Sequence, residues 1–151
     1  MSKLTNCQFI VKLFEYYEGI NESCIITEYL AGNDLFQTIA HRTFELSENK
    51  CKLISSQILE ALNFMHSQRI VHMDIKPNNV MFTHKNRDNL HVKIIDFGLA
   101  RELGGLGRAK CGIVGTVEFM SPEVMVTKDF IAKILYYKVL KAQTTNDYNQ
   151  L

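Results

Sequence analysis

Asn79-Val80-Met81-Phe82, the polar stretch Thr83 to Leu90, and then Val92-Lys93-Ile94-Ile95-Asp96 form the run whose reading decides the fold. Two short apolar runs rich in strand-forming residues flank a loop that carries Lys85, Asn86, Arg87, Asp88 and Asn89, which predicts a pair of strands joined by a turn. If the strands pair antiparallel, Asn79 entering the first and Asp96 leaving the second emerge at the same end of the ribbon. A carboxamide and a carboxylate then converge. Two hard oxygen donors, with coordination sites left for water or phosphate, are what a Mg²⁺ bound to a nucleotide requires. Just upstream, His72-Met73-Asp74-Ile75-Lys76 adds a second carboxylate and an ammonium. Asp74 is placed to accept a proton from an incoming hydroxyl, and Lys76 to neutralise charge on a transferring phosphoryl group.

Outward from this centre, Ser47 to Ser67 repeats apolar residues at intervals of three and four (Cys51, Ile54, Ile58, Leu62, Met65), with Ser47 suited to an N-cap. A long amphipathic helix is predicted there. Asp34, with Gln37 three residues on, predicts a capped short helix ending near His41 or Arg42. Phe9 to Glu18 and Ser23 to Tyr29 are β-branched and aromatic, and Gly19-Ile20-Asn21 between them has turn chemistry, so an antiparallel hairpin is expected. Phe130 to Leu140 is mostly apolar and fits a helix, while Ala142 to Leu151 is polar and is expected to fray.

Composition narrows the function classes. The 151 residues are 46% hydrophobic and 22% charged, enough for one core and unlike a disordered or collagen-like chain. Seventeen Lys+Arg against sixteen Asp+Glu leave +1, which supplies no broad basic field for nucleic acid, so no nucleic-acid partner is expected. No stretch approaches a charge-free membrane span and no secretory signal opens the chain, so a soluble, cytoplasmic protein is expected. Cys7, Cys24, Cys51 and Cys111 form no C-x-x-C pair, and the histidine spacings (His66, His72, His84, His91) suit no zinc site. Reduced thiols and ordinary surface or core histidines account for them. The Asn21-Glu22-Ser23 sequon reads as a coincidence in a turn.

The run His72 to Asn79 resembles the catalytic loop of the eukaryotic protein kinases, Asp96-Phe97-Gly98 their metal-binding motif, and Ser121-Pro122-Glu123 the end of their activation segment. Order and spacing agree over about Phe9 to Met125. The wording of Ile94 to Arg101 and of Gly115-Thr116-Val117-Glu118-Phe119 most resembles the myosin-light-chain-kinase and titin-like branch of calmodulin-dependent kinases. The resemblance implies an α+β fold: a small-lobe hairpin and hinge, then the first, mainly helical part of the large lobe. It covers a partial kinase domain over 9–125, followed by a divergent helical tail over 126–151.

By the same resemblance, Asp74 is the catalytic base, Lys76 the phosphate contact, and Asn79 and Asp96 the metal ligands. Glu28 and Leu30 offer backbone groups to adenine, Thr27 stands at the pocket's back, Asp34 near the ribose, and Met81 completes the nucleotide-binding set. His72 and Phe97 belong to internal packing columns. The implied function is a serine/threonine kinase that uses ATP and Mg²⁺ on a protein substrate, with a regulatory or cytoskeletal protein as a further partner.

Three features of the family have no counterpart in these residues: the glycine-rich loop, the strand lysine and its helix glutamate. Gly105-Leu106-Gly107 lies on the wrong side of the chain and reads as a flexible activation loop. Val124 to Leu151 does not resemble the family's next buried helix, with its aspartate and tryptophan, and the chain has no tryptophan. The expectation is therefore an incomplete chain, weakly active or inactive alone, marginally stable or prone to associate. The alternative is a non-catalytic kinase fragment that acts as a binding or regulatory module. Met73 replaces the arginine that, in many members, holds a phosphorylated activation loop, and Leu99 to Gly115 contains no Ser, Thr or Tyr. Switching by phosphorylation of that loop is not expected, though Thr116 and Ser121 remain as hydroxyls near the substrate-binding segment.

Overall fold

The computed structural model describes residues 1–41, 45–86, 88–104, 108–111, 114–120 and 130–133. Its elements are the strands β1 (Leu13–Glu18) and β2 (Ser23–Thr27), then the helices α1 (Leu35–Ala40) and α2 (Glu48–Ser67). Next come β3 (Ile70–Val71), β4 (Val80–Phe82), β5 (Val92–Ile94), β6 (Arg101–Glu102), β7 (Arg108–Cys111) and β8 (Phe130–Lys133). This is an α+β arrangement of four two-stranded antiparallel ribbons and two helices among the described residues, with β3 and β5 against the long helix α2.

The central ribbon forms as its sequence predicts. β4 and β5 pair antiparallel, Val80 opposite Ile94 and Phe82 opposite Val92. All four are buried, because strand alternation turns them to one face against α2. That helix buries Ile54, Gln57, Ala61 and Met65, one stripe at helical spacing, while Ile58 and Leu62 are partly buried. Cys51, expected on the stripe, is exposed. Gln57 is polar and buried for a specific reason: Val92 N–H donates to its Oε1 at 2.9 Å, and its Nε2 donates to Leu90 O at 3.0 Å. The amide thereby satisfies backbone groups beside β5 that would otherwise be buried unpaired. Full burial of a side chain such as Met65 contributes about 1.5–3 kcal/mol.

Two extended segments flank this ribbon. Ile94 N–H donates to Phe9 O at 2.9 Å and Val11 N–H to Ile94 O at 3.0 Å, so Phe9 to Val11 lies alongside β5. Here the structure shortens the expected hairpin: only Leu13–Glu18 pairs with Ser23–Thr27, and the more apolar start of the run is buried against β5 instead. On the other side, Gly32 N–H donates to Phe82 O at 3.1 Å, and Phe82 N–H to Asn33 O at 3.0 Å. A Cβ on Gly32 would stand 2.5 Å from Phe82 O, so only glycine permits this approach. Asp34 then caps α1 as expected, its Oδ1 accepting the Gln37 N–H at 2.7 Å, a contact that stabilises a helix by about 1 kcal/mol. Ser47 occupies the N-cap of α2, but without a side-chain cap hydrogen bond.

The tail departs from expectation. Phe130–Lys133, expected to begin a helix, is the strand β8, antiparallel to β7 with Arg108 opposite Lys133 and Cys111 opposite Phe130. Aromatic and β-branched residues suit pleated backbone, and a partner strand distant in sequence supplies the hydrogen bonds a helix would make within itself. Gly105-Leu106-Gly107, Ser121-Pro122-Glu123 and residues 134–151 lie outside the described residues. No helix among the described residues is long and apolar enough to cross a membrane.

Candidate functional site

One end of the central ribbon carries the predicted constellation. Ile95 N–H donates to Asn79 O at 2.9 Å, continuing the β4–β5 ladder by one step, so Asn79 and Asp96 leave it side by side. Pro77 opens the 3₁₀ turn Pro77–Asn79 that feeds the strand. Asn79 is buried, and its Nδ2 donates both to Asp74 O at 2.8 Å and to Asp74 Oδ2 at 3.0 Å. Both amide protons are thus committed, which leaves Oδ1 as the acceptor atom. Asp96 is exposed, with left-handed backbone (φ 57°), and its Oδ1 accepts the Gly98 N–H at 3.1 Å.

Asp74 is the hub of the site. Lys76 Nζ lies 2.8 Å from its Oδ2 and donates to Thr116 Oγ1 at 2.7 Å. Thr116 gives Asp74 Oδ1 two donors, its N–H at 3.0 Å and its hydroxyl at 2.7 Å. Burial raises the Asp74 carboxyl, but Lys76 and the Thr116 donors outweigh it and hold the group down at about 2. It is ionised throughout the physiological range. His72 supports the loop from beneath: its Nδ1 accepts the Asp74 N–H at 3.3 Å, which assigns the proton to Nε2, 3.0 Å from Ile95 O. Burial holds its pKa below the ordinary value, and the ring meets Phe97 edge-on at 5.0 Å, the packing role expected for both residues.

A cavity of about 800 Å³ adjoins this centre. Thr27, Glu28, Leu30, Met81 and Asp96 line it; Asp34 does not, and its carboxylate serves the cap of α1. Glu28 N–H is taken by Lys12 O at 3.0 Å. Its carboxylate pairs with Lys93 on β5 and accepts the Lys12 N–H at 2.7 Å. Burial pushes Glu28 up, but Lys93 and Lys12 together hold it below its ordinary value.

At the level of sequence, the protein kinase domain profile matches residues 1–137. This chain belongs to the protein kinase domain family. Smooth-muscle myosin light chain kinase of Gallus gallus is 38% identical over 125 residues, 81% of this chain and 6% of that protein. Myosin light chain kinase family member 4 of Homo sapiens is 37% identical over 123 residues, 82% of this chain and 31% of the relative. Death-associated protein kinase 2 of Mus musculus is 38% identical over 116 residues, 77% and 31% respectively. The kinase-domain chain thus spans less than a third of these relatives' lengths. Two of the three are myosin light chain kinases by name, the branch that the Ile94 to Arg101 wording resembles.

Kinase domains use ATP and Mg²⁺ in general, and the donor set here fits that ion. Among the described residues no three His, Cys, Asp or Glu side chains cluster as a protein cage. A Mg²⁺ held by one carboxylate, one amide oxygen and nucleotide phosphates needs none. The sequence placed Thr116 only near the substrate-binding segment, and three relationships at the site were not legible in it. Lys93 pairs with Glu28 across segments far apart in the chain, Thr116 bonds Asp74 over a separation of 42 residues, and Gly115 precedes it in a special conformation. The sequence signals were the Gly115-Thr116 wording and the Thr116 hydroxyl itself.

Proposed function

We propose that the chain is the catalytic-loop portion of a serine/threonine protein kinase that transfers the γ-phosphoryl group of ATP to a protein hydroxyl. The observation that carries this reading is the convergence on Asp74 of Lys76, Thr116 and Asn79 at the end of the ribbon that also delivers Asp96. The domain segment is taken as 9–125, with 126–151 a divergent tail. Protein substrate, regulatory or cytoskeletal partner and cytoplasmic location belong to the same proposal.

In this reading Asp74 orients the substrate hydroxyl and takes its proton as that oxygen bonds to the γ-phosphorus, while the bond from γ-phosphorus to the bridging oxygen breaks and ADP departs. Its depressed pKa suits positioning more than early proton removal, which agrees with a loose transition state. Lys76 offsets charge on the transferred group. Asn79 Oδ1 and Asp96 are the atoms that would hold Mg²⁺, which when bound neutralises phosphate charge. The adenine would lie against Glu28, Leu30 and Met81, with Thr27 behind it. Glu28 offers its carbonyl oxygen, since its N–H is already used. Asp34 contributes chiefly by capping α1, with the ribose role that the resemblance implies left to its second oxygen.

Exposed Phe14, Tyr16, Tyr17 and Ile25 on the hairpin favour a second reading, a non-catalytic binding module. Incubating the purified chain with γ-labelled ATP, Mg²⁺ and a protein acceptor separates the two. Label that is lost in Asp74→Asn and Asp96→Ala supports phosphotransfer, which the chain alone is expected to perform weakly. No label from the parent chain supports the module, and equal label in all three marks a contaminant.

A further inference from the structure

Gly115 stands immediately before the threonine that holds Asp74, in the left-handed half of backbone space (φ 115°) that side-chain-bearing residues rarely adopt. A Cβ there would lie 2.7 Å from the carbonyl oxygen of Met73, closer than real Cβ contacts occur. Met73 is itself left-handed, with φ 72°. The backbone before Thr116 is therefore pressed against the loop carrying Asp74 from the side where a side chain would stand. Next to that approach, the N–H and the hydroxyl of Thr116 both donate to one oxygen, Oδ1, at 3.0 and 2.7 Å. With Oδ1 held, Oδ2 is turned to Lys76 Nζ at 2.8 Å and Asn79 Nδ2 at 3.0 Å.

Building on the phosphotransfer reading, we infer that Gly115 is a positioning residue of the reaction, its missing side chain seating Thr116 on Asp74 Oδ1 and so fixing the rotation of the carboxylate. The residue acts through Thr116 and is not among those that line the nucleotide cavity. Misplacing a reacting group by about 1 Å costs on the order of 10²-fold in rate, so a methyl group at this position has leverage far beyond its size.

Cys111 allows the test to be made on the full chain, by ligating residues 1–110 to a synthetic 111–151 segment that carries glycine, L-alanine or D-alanine at position 115. D-Alanine favours positive φ and projects its methyl from the opposite side of the backbone. Two readouts are taken: hydrogen exchange of the Thr116 amide, and phosphotransfer resolved into kcat and KM for ATP. L-Alanine should speed exchange of that amide about tenfold, the loss of roughly one hydrogen bond. It should also lower kcat with KM for ATP unchanged, and D-alanine should restore both. Unaltered exchange and kcat with L-alanine overturn the proposal, as does failure of D-alanine to restore them. If the amide responds but no version of the chain, glycine included, transfers phosphate, the phosphotransfer reading falls and the catalytic role of Gly115 falls with it.

Discussion

The carbonyl oxygen of Asn79 accepts the N–H of Ile95 at 2.9 Å, one rung beyond the last strand pair, and this bond places Asp96 beside Asn79. A slip of one residue in the ribbon would turn every side chain of one strand to the opposite face. Burial of Val80, Phe82, Val92 and Ile94 excludes that slip, so the apolar core and the placement of Asn79 beside Asp96 are consequences of one register.

His72 couples the catalytic loop to the same ribbon. The residue is 2% exposed, and its ring is bonded at both nitrogens. His72→Ala should destabilise the chain by about 2–4 kcal/mol, through the cavity and the orphaned Ile95 carbonyl. Urea denaturation checks this, and a change below about 0.5 kcal/mol, the range of ordinary surface substitutions, would contradict it.

Stability should fall as pH falls, and two of the groups responsible, Asp74 and His72, lie in the site. Asp74 titrates near 2 when folded against an ordinary 3.8, so its contribution is complete above 3.8 and is lost as pH drops through 2. The difference is worth about 2 kcal/mol. His72 is held below its ordinary 6.5, so the unfolded chain binds its proton first and this contribution also shrinks below pH 6.5. Denaturation curves between pH 7 and 2 should show both, with His72→Phe reducing the slope of the upper part, to which His66 and His91 also contribute. An unchanged upper slope in that variant would contradict the assignment.

Lys93 and Glu28 are mostly buried, at 13% and 23% side-chain exposure. Lys93→Met should cost about 3 kcal/mol because it strands the Glu28 carboxylate, whereas Glu28→Gln with Lys93→Met should cost less than Lys93→Met alone. A double-mutant cycle by thermal or urea unfolding measures the coupling, and strictly additive effects would show that the pair does not clamp the segment after β2 to β5.

Local chemistry was legible wherever the deciding contacts were local. Asp34 with Gln37, the stripe from Ile54 to Met65, and the ribbon between Asn79 and Asp96 each depend on spacing within a single element or its immediate neighbour. Misreadings arose where a distant segment supplied the partner. Phe9 to Val11 looks like the start of a strand in the hairpin but bonds to Ile94, and Phe130–Lys133 looks helical until Arg108–Cys111 pairs with it. The same limit hid part of the site. Nothing near Glu28 in sequence announces Lys93, and the need for glycine at 115 shows only when the Met73 carbonyl is seen to stand where a Cβ would lie. Asp34 shows the converse: one residue fits both a helix cap and a ribose contact, and the folded chain gives its carboxylate to the cap.

The most direct test is a Mn²⁺ titration, in place of Mg²⁺, with a non-hydrolysable ATP analogue, followed by NMR. Paramagnetic broadening of the Asn79 side-chain amide together with the Asp96 and Phe97 backbone amides is predicted, with all of it abolished in Asp96→Asn. Broadening confined to other residues, or broadening of these that persists in Asp96→Asn, would contradict a shared metal at the end of the ribbon.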